Sequence, residues 1–424
     1  MRKLTRNRFS SFVGALGLLM GVLVLSRCSS PPSNDLKNGL WRAELQREDG
    51  QQVVFNFELA DSAGQKVLYV FNAKERLRVD SIRQQGDSLY IQMPFFGSHF
   101  EAVKTGDSVL DGRWIKDYGT RKVSMPFHAV AGDSSRLTAY QPASANVAGS
   151  WEAVFPREDG NDFKAIGLFE QQGDAVTGTF LTPVGDYRYL QGVISGDTLK
   201  LSGFDGSHAL LFTALIDSAR LTDGKLYSIN SAVAPWHAER KAYDSLPAAY
   251  AVDNIQPGTV KLGFSLKDMR TGEQISLQDE AYKGKVVVIQ LLGSWCPNCM
   301  DETPYLTQYY KANKDRGIAF IGIDFERTAD FEQSRQALNS FFSHFDITYP
   351  VVFSGVASSD PELTKKVFPE LLPAKIHAFP TTIFIDKTGY VRKLHSGFNG
   401  PATGKYYTEF QEEFNSIING LLAE

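Results

Sequence analysis

The sequence has few cysteines and no concentration of basic charge. Only Cys28, Cys296 and Cys299 occur among its 424 residues, which excludes a fold held together by several disulfides. The 44 lysines and arginines are balanced by 48 aspartates and glutamates, and they form no basic block or stripe. Because nucleic-acid-binding proteins contact phosphates through such a block, we exclude a nucleic-acid partner.

The N-terminus combines a basic start with an apolar stretch. Four basic residues lie within the first eight positions, residues 9–25 are mostly apolar, and Cys28 follows. This pattern is typical of a bacterial export signal. It resembles a lipoprotein signal peptide, which implies that residues 1–28 are the signal and that Cys28 carries the lipid, although Arg27 stands where that family has a small residue. The alternative is a retained signal anchor, but so short a stretch barely spans a bilayer core of about 30 Å.

Either interpretation places the bulk of the chain outside the cytoplasm and tethers it to a membrane. Residues 29–38 are short and polar and contain Pro31 and Pro32, as expected of a tether. We therefore predict a cell-envelope protein, either periplasmic or an outer-membrane lipoprotein, that contacts the membrane through its lipid anchor.

Residues 39–242 contain an internal repeat of about 110 residues. Both copies, 39–145 and 146–242, show short alternating apolar and polar runs separated by Gly-Asp and Asp-Gly turns, which predicts antiparallel strands. Four features recur in nearly constant register: Trp41 and Trp151, Arg47–Gly50 and Arg157–Gly160, Gly86–Leu89 and Gly196–Leu199, and Gly97–His99 and Gly206–His208.

The repeat predicts two related all-β units, each a small barrel or sandwich. They either close separately or pair to bury a shared face, and the sequence leaves both arrangements open. We interpret His99 and His208 as turn residues inherited by duplication rather than as ligands. Four tryptophans are predicted to lie in the cores, with a ligand platform as the alternative: Trp41, Trp114, Trp151 and Trp236.

Residues 259–424 follow a linker at 243–258 and alternate between strand and helix patterns. Strands are predicted at 285–292, 317–324 and 349–353 and in a hairpin formed by 381–386 and 390–395. Helices are predicted at 300–314, 329–345, 361–368 and 406–422. Strand, helix, strand, helix, hairpin and helix is the order of a thioredoxin-type α/β fold.

Two cysteines three positions apart suit redox chemistry better than architecture. Cys296 falls where the first strand gives way to a helix, so free backbone N–H groups and the positive end of the helix dipole favour its thiolate. Cys299 lies one turn further on, on the same face, within disulfide reach and more deeply buried. We therefore predict a redox-active disulfide in which Cys296 attacks a partner's disulfide and Cys299 resolves the mixed disulfide.

The motifs of this region resemble one family of bacterial proteins. Gly284-Lys-Val-Val-Val, Trp295-Cys-Pro-Asn-Cys299, Glu302 and Pro304 are similar to the TlpA/ResA-like membrane-tethered thiol-disulfide oxidoreductases of the thioredoxin superfamily. The resemblance extends from about Phe264 to Glu424. Together with the repeat, it predicts a multi-domain fold class for the whole chain, with an N-terminal all-β duplicated region (barrel or sandwich) followed by a C-terminal α/β thioredoxin fold.

The resemblance also implies roles for particular residues. Pro380 would follow a cis peptide bond, so that Phe379 presents its edge to an extended substrate segment beside Trp295. Glu302 would be a partly buried carboxylate that exchanges protons with the cysteines. Gln290 stands where thioredoxin has a buried acid, which places more weight on Glu302. The expected catalytic residues are Cys296, Cys299 and Glu302, and the expected docking residues are Trp295, Phe379 and Pro380.

The expected function is reduction of disulfides in exported proteins, driven by an upstream membrane or periplasmic thiol donor and without a cofactor or metal. The dipeptide between the cysteines tunes redox potential, so oxidation and isomerisation stay open. A zinc site is disfavoured because the chain has no second cysteine pair. A thiol peroxidase is disfavoured because Gly293 stands where peroxiredoxins have Thr. A third alternative is an envelope lipoprotein whose β region binds a ligand, with the thioredoxin domain accessory.

Overall fold

The structure is a computed structural model that describes residues 36–119, 121–243 and 255–424. The predicted signal with Cys28, most of the predicted tether and most of the predicted linker lie outside the described residues. Within these ranges, every helix is too short or too polar to cross a membrane.

The first β unit is one antiparallel sheet whose strands run in the order β4-β3-β2-β1-β9-β8-β7-β6-β5. Alternate side chains of its strands point into the core, as the buried Trp41, Ala43 and Leu45 do. The two edges of the sheet are β4 and β5. The strands are β1 (Gly39–Gln46), β2 (Gln52–Ser62), β3 (Gln65–Asn72), β4 (Glu75–Val79), β5 (Ser81–Gln85), β6 (Ser88–Gln92), β7 (Ser98–Lys104), β8 (Val109–Asp117) and β9 (Lys122–Ala131).

The second β unit, called the second β barrel, differs from the first in the pairing that closes it. Its sheet runs β11-β10-β18-β17-β16-β15-β14-β12-β13, and β12 pairs with both β11 and β14, which closes the sheet on itself. Its counterpart β3 in the first unit pairs instead with β2 and β4. The strands are β10 (Gly149–Phe155), β11 (Phe163–Gln172), β12 (Ala175–Thr182), β13 (Gly185–Asp186), β14 (Leu190–Ser195), β15 (Thr198–Phe204), β16 (Ala209–Asp217), β17 (Arg220–Ser228) and β18 (Ala234–Arg240).

The predicted duplication of all-β units is confirmed in detail. Trp41 and Trp151 lie in the first strand of each unit, and each indole N–H donates to the carbonyl four residues upstream, at 3.0 and 2.8 Å. All four tryptophans predicted for the cores are at most 2% exposed. The repeated Gly-Asp turns connect β5 to β6 and β14 to β15.

The two β units share buried contacts, which answers a question that the sequence left open. Phe204 of β15 stacks on Phe55 of the first unit with ring centroids 4.2 Å apart. Asn72 donates to the carbonyl of Phe204 at 2.7 Å and accepts from its N–H at 3.1 Å. Arg136, between the units, donates to the Phe71 carbonyl at 2.7 Å and to the Ser202 hydroxyl at 2.9 Å. Each unit therefore forms its own sheet, and the two also bury a common face.

The C-terminal region has a seven-stranded sheet in the order β20-β19-β23-β22-β21-β24-β25. Its strands are β19 (Ser265–Asp268), β20 (Gln274–Ser276), β21 (Val286–Leu292), β22 (Ile318–Asp324), β23 (Val351–Phe353), β24 (Thr381–Ile385) and β25 (Val391–Ser396), and its helices are α1 (Pro297–Asn313), α2 (Phe331–Phe345), α3 (Leu363–Val367) and α4 (Lys405–Ala423).

The order of strands and helices predicted for the C-terminal region is confirmed. The central β21 is buried along its whole length, as expected of a strand covered on both faces. It runs parallel to β22 and antiparallel to β24. The first helix begins at Pro297, earlier than predicted, because Cys296 caps it and a proline fits the first helical position. The carboxyl end of β21 and the start of α1 therefore bring the two cysteines to one edge of the sheet.

Candidate active site

Cys296 and Cys299 form a disulfide at the N-terminus of α1, with Cα atoms 5.3 Å apart. Cys296 is the N-cap residue, and its Sγ accepts from the N–H of Cys299 at 3.2 Å. The residue is 3% exposed, whereas Cys299 is fully buried. After reduction, the helix N-terminus would favour negative charge on the Cys296 sulfur. The two sulfurs are therefore unequal in both charge environment and access.

Phe379 and Pro380 lie directly against the disulfide. The peptide bond between them is cis, as the family resemblance implies, and the Phe379 carbonyl oxygen lies 3.4 Å from the Cys296 sulfur. The Trp295 ring meets the Phe379 ring edge-on at 5.6 Å, and its N–H donates to the Phe325 carbonyl at 2.8 Å. The structure thus brings together all three residues that we predicted for substrate docking.

Glu302 is a fully buried carboxyl one turn after Cys299. Thr382, just after the cis-proline, donates to Glu302 Oε1 at 2.7 Å, and Gln290 of β21 donates to Oε2 at 2.8 Å. Burial raises the pKa of Glu302 to about 7, while both hydrogen bonds act in the opposite direction. Glu302 can therefore either hold or release a proton near neutral pH.

Gln290 contributes to this site in a way that the sequence did not indicate. Its side-chain nitrogen lies 3.1 Å from the Thr303 hydroxyl, which in turn donates to the carbonyl of Cys299 at 2.7 Å. Glu302 is thereby connected to the backbone of Cys299 through two buried polar side chains. The signal for Gln290 was its position as the one polar residue within the apolar β21.

A buried acidic pair, Asp324 and Glu326, contacts the segment just before Cys296, and the sequence did not indicate it. Asp324 ends β22, and Glu326 accepts from the N–H of Ser294 at 2.6 Å. Burial and the neighbouring Glu326 raise the pKa of Asp324 well above its ordinary value, and burial also raises the pKa of Glu326. Two adjacent buried carboxyls favour a state in which they share a proton. Asp324 at the end of an apolar strand was the available signal.

Comparison with known proteins shows which families and proteins the C-terminal region is similar to. The Redoxin family model matches residues 251–408. The thioredoxin-like protein YneN of Bacillus subtilis is 28% identical over 145 residues, which are 34% of this chain and 73% of that protein. The thiol-disulfide oxidoreductase ResA of the same organism is also 28% identical over 145 residues, 34% of this chain and 70% of that protein. The C-terminal region is a TlpA/ResA-like member of the thioredoxin superfamily.

The strands and helices from β19 to α4 are called the redoxin domain. The family match and the relatives confirm the expected fold class of this domain and the expected enzyme class, a thiol-disulfide oxidoreductase. Among solved structures, a thiol:disulfide interchange protein of the thioredoxin family from Chlorobium tepidum TLS is 25% identical with a TM-score of 0.30. That alignment covers 40% of this chain and 99% of that one. The β region lies outside the residues that the Redoxin family model matches.

The second β barrel contacts the dipeptide between the cysteines of the redoxin domain. In the orientation that satisfies both groups, the Asn298 carboxamide donates to the Asp186 carbonyl at 3.1 Å and accepts from the Asp186 N–H at 3.2 Å. Gly185 permits this approach, because a Cβ there would lie 1.7 Å from the end of the Asn298 carboxamide and its φ is +143°. The motif that carries the chemistry is thus held by backbone atoms of another domain.

Arg188 ties the same barrel segment to α1. It donates to Asp301 through two nitrogens, at 2.9 and 2.8 Å, and also contacts Glu75 of the first unit and Asp205 of β15–β16. Burial raises the pKa of Asp301 to about 6, although Arg188 acts in the opposite direction. Burial likewise raises the pKa of Asp186 to about 6. One guanidinium therefore joins all three folded parts of the chain beside the disulfide.

His208 has a structural partner, in line with the interpretation of the repeated Gly-Ser-His as turn chemistry. Its ring nitrogen Nδ1 lies 3.2 Å from Asp205 Oδ2, and its backbone N–H donates to Asp205 Oδ1 at 2.6 Å. Burial opposes ionisation of Asp205, but His208 and Arg188 outweigh it and hold its pKa below the ordinary value. His99 of the first unit instead stacks on Tyr90 at 4.9 Å.

Proposed function

We propose that this protein reduces disulfides of exported proteins in the bacterial cell envelope, with Cys296 as the attacking and Cys299 as the resolving residue. The observation that carries the proposal is the placement of Cys296 at the start of α1 between the cis-proline and the buried Glu302. The names of the ResA relatives support thiol-disulfide exchange as the reaction.

The reaction begins with the reduced pair. The Cys296 thiolate attacks one sulfur of the substrate disulfide, a new bond forms between Cys296 and that sulfur, and the other substrate sulfur leaves as a thiolate. Cys299 then attacks the Cys296 sulfur, which forms the Cys296–Cys299 disulfide and releases the second substrate thiol. The substrate gains two electrons and two protons, and an upstream dithiol donor must supply the same number to regenerate the pair.

Glu302 is the proposed proton acceptor in the second step. The buried Cys299 thiol must lose its proton before its sulfur attacks, and Glu302 lies one helical turn away with a pKa of about 7. Gln290 and Thr382 hold both carboxyl oxygens and fix their direction. In the reverse, oxidising direction the same carboxyl would return the proton.

Attachment to the envelope is the second part of the proposal. The basic and apolar N-terminus followed by Cys28 supports a lipid anchor, and an exchange enzyme outside the cytoplasm needs a thiol donor at or beyond the membrane. Globomycin, which blocks lipoprotein signal cleavage, should shift the mass of the protein in cells. An unchanged mass would exclude processing of the chain as a lipoprotein.

The reductase activity is tested with the full chain in detergent, with dithiothreitol as donor and an insulin disulfide as substrate. We expect insulin to precipitate faster than with dithiothreitol alone, at a rate proportional to protein concentration. The direction is tested by equilibrating the pair with glutathione redox buffers. A potential above about −180 mV, the range of oxidising and isomerising enzymes, would contradict a reducing role.

Replacing Glu302 by Gln should slow the second step on the order of 10²-fold near neutral pH, because an amide cannot accept the Cys299 proton. Thr382→Val should keep the reaction but move its pH dependence upward, since the Thr382 hydrogen bond lowers the Glu302 pKa from the higher value that burial alone would give. Stopped-flow tryptophan fluorescence between about pH 5 and pH 9 measures both effects. A Glu302→Gln profile identical to that of the wild type would remove Glu302 from the mechanism.

A further inference from the structure

A cavity of about 610 Å³ lies over Cys296, and two domains line it. The redoxin domain contributes Cys296 and Phe379, and the second β barrel contributes Phe163, Val184 and Tyr187. Its volume falls within the roughly 300–1,000 Å³ of sites that enclose a ligand. Cys296, only 3% exposed, therefore faces a cleft between domains and not a flat surface.

The barrel side of this cleft is fixed by close backbone approaches. Besides the contact of Gly185 with Asn298, a Cβ at Gly397 would lie 2.6 Å from the backbone of Val184, and the N–H of Gly397 donates to the Pro380 carbonyl at 2.8 Å. Asp186 also accepts from the N–H of Gly400 at 2.7 Å. The same barrel segment thus touches both the cysteine dipeptide and the chain that supports the cis-proline.

Residues 182–188 of the second β barrel are named the barrel wall. We propose that the barrel wall forms one side of the substrate site and restricts it to disulfides carried on extended polypeptide segments. This inference rests on the proposed function and adds to it the substrate class. The redox chemistry itself does not require the β region. Under this proposal, the β region selects the substrates.

The dimensions and chemistry of the cleft favour an extended segment. Aromatic side chains stand on both sides, with Trp295 and Phe379 facing from the redoxin domain and Phe163 and Tyr187 from the barrel. A single extended strand is narrow, since neighbouring strands lie about 4.8 Å apart, and it exposes its side chains alternately to the two sides. A folded protein is far larger than a cavity of about 610 Å³, so its surface disulfide would reach Cys296 only after the barrel wall moved.

The test compares two probes that carry the same leaving group. One is an unstructured ten-residue peptide with one cysteine joined to thionitrobenzoate, and the other is a folded protein with the same mixed disulfide on a surface cysteine. We expect the reduced full-length protein to prefer the peptide. Gly185→Ala should reduce that preference on the order of tenfold, because its Cβ overlaps the Asn298 carboxamide and breaks the pairing with Asp186 that holds the barrel wall in place.

Gly173→Ala is the matched control for this substitution. Gly173 lies in the same barrel and also has positive φ, +62°, but a Cβ there meets nothing within 4 Å. The control should therefore retain the wild-type preference. Equal rates for the two probes in the wild type, or equal loss of preference in both variants, would overturn the inference. Changes in the intrinsic reactivity of Cys296 affect both probes alike and cancel in the ratio.

A cross-linking measurement tests whether the barrel wall contacts the bound peptide, and it does not require a substitution of Gly185. In Cys299→Ser, the peptide is trapped on Cys296, and a photoreactive benzoylphenylalanine at Val184 should cross-link to it. The same group at the exposed Lys164 of β11 should not. A trapped peptide without a Val184 cross-link overturns the barrel wall alone. Failure to trap any peptide refutes the proposed function, and this inference with it.

Discussion

Cys296→Ser should reduce insulin turnover to the rate of dithiothreitol alone, because a hydroxyl at this position cannot form the mixed disulfide. Cys299→Ser should also lose turnover but should retain the first exchange. Its Cys296 thiolate, supported by the start of α1 and next to the cavity, still attacks substrate, and no second thiol follows to release it. We expect one equivalent of covalently bound substrate per protein molecule.

Intact-mass spectrometry without reducing agent measures this difference directly. The Cys299→Ser sample should gain the mass of one substrate chain, and Cys296→Ser should gain none. Cys28→Ser is the matched control, since it removes the only other cysteine in the chain and should keep full turnover in detergent. Trapping by Cys296→Ser and not by Cys299→Ser would assign the two roles in reverse.

These roles could be predicted from sequence because they depend on local geometry. A cysteine placed between an apolar strand and a helix becomes an N-cap residue, and a second cysteine three positions later lies on the same face. The placement of Glu302 near the cysteines could also be predicted, since this residue follows Cys299 by one helical turn. For its partner Gln290, the sequence indicates only the absence of an acid, because it does not show that β21 and α1 bring these side chains within hydrogen-bond distance.

The contribution of the β region could not be predicted. Asp186 contacts Asn298 through its backbone, which carries no side-chain signal, and Gly185 and Gly397 resemble ordinary turn glycines in the sequence. The repeat predicted two similar units, but it did not show that β12 also pairs with β14 and closes one unit, while β4 and β5 remain edges in the other. Such pairings depend on long-range packing, which short alternating patterns do not indicate.

Arg188→Ala should be the most destabilising single substitution considered for this chain. It would leave Asp301, Glu75 and Asp205 buried around an empty position, and removing one partner of a buried ion pair typically costs about 3–5 kcal/mol. The side chain of Arg188 is only 4% exposed, so water cannot replace the guanidinium without opening the contact between the barrel and α1. Urea denaturation near pH 7, followed by tryptophan fluorescence, measures the loss.

The pH dependence of this loss identifies its electrostatic cause. Burial has already raised the pKa of Asp301 and Asp186 to about 6, so the folded state binds more protons than the unfolded state between about pH 4 and pH 6. A raised pKa gives stability that is present at low pH and lost as pH increases. Without Arg188 the pKa of these carboxyls should increase further, so the difference from wild type should be largest near pH 7 and smaller near pH 5.

Two variants separate charge from packing. Arg188→Met combined with Asp301→Asn removes the cation and one carboxylate together while retaining most of the side-chain volume, and it should recover part of the lost stability. Arg113→Ala on the exposed face of β8 should change the free energy of unfolding by less than about 0.5 kcal/mol. A loss that is the same at pH 5 and pH 7, or that the double variant does not reduce, would show that Arg188 acts by filling space. The domains would then be joined by packing, and the carboxylates beside the disulfide would contribute little to holding the barrel wall.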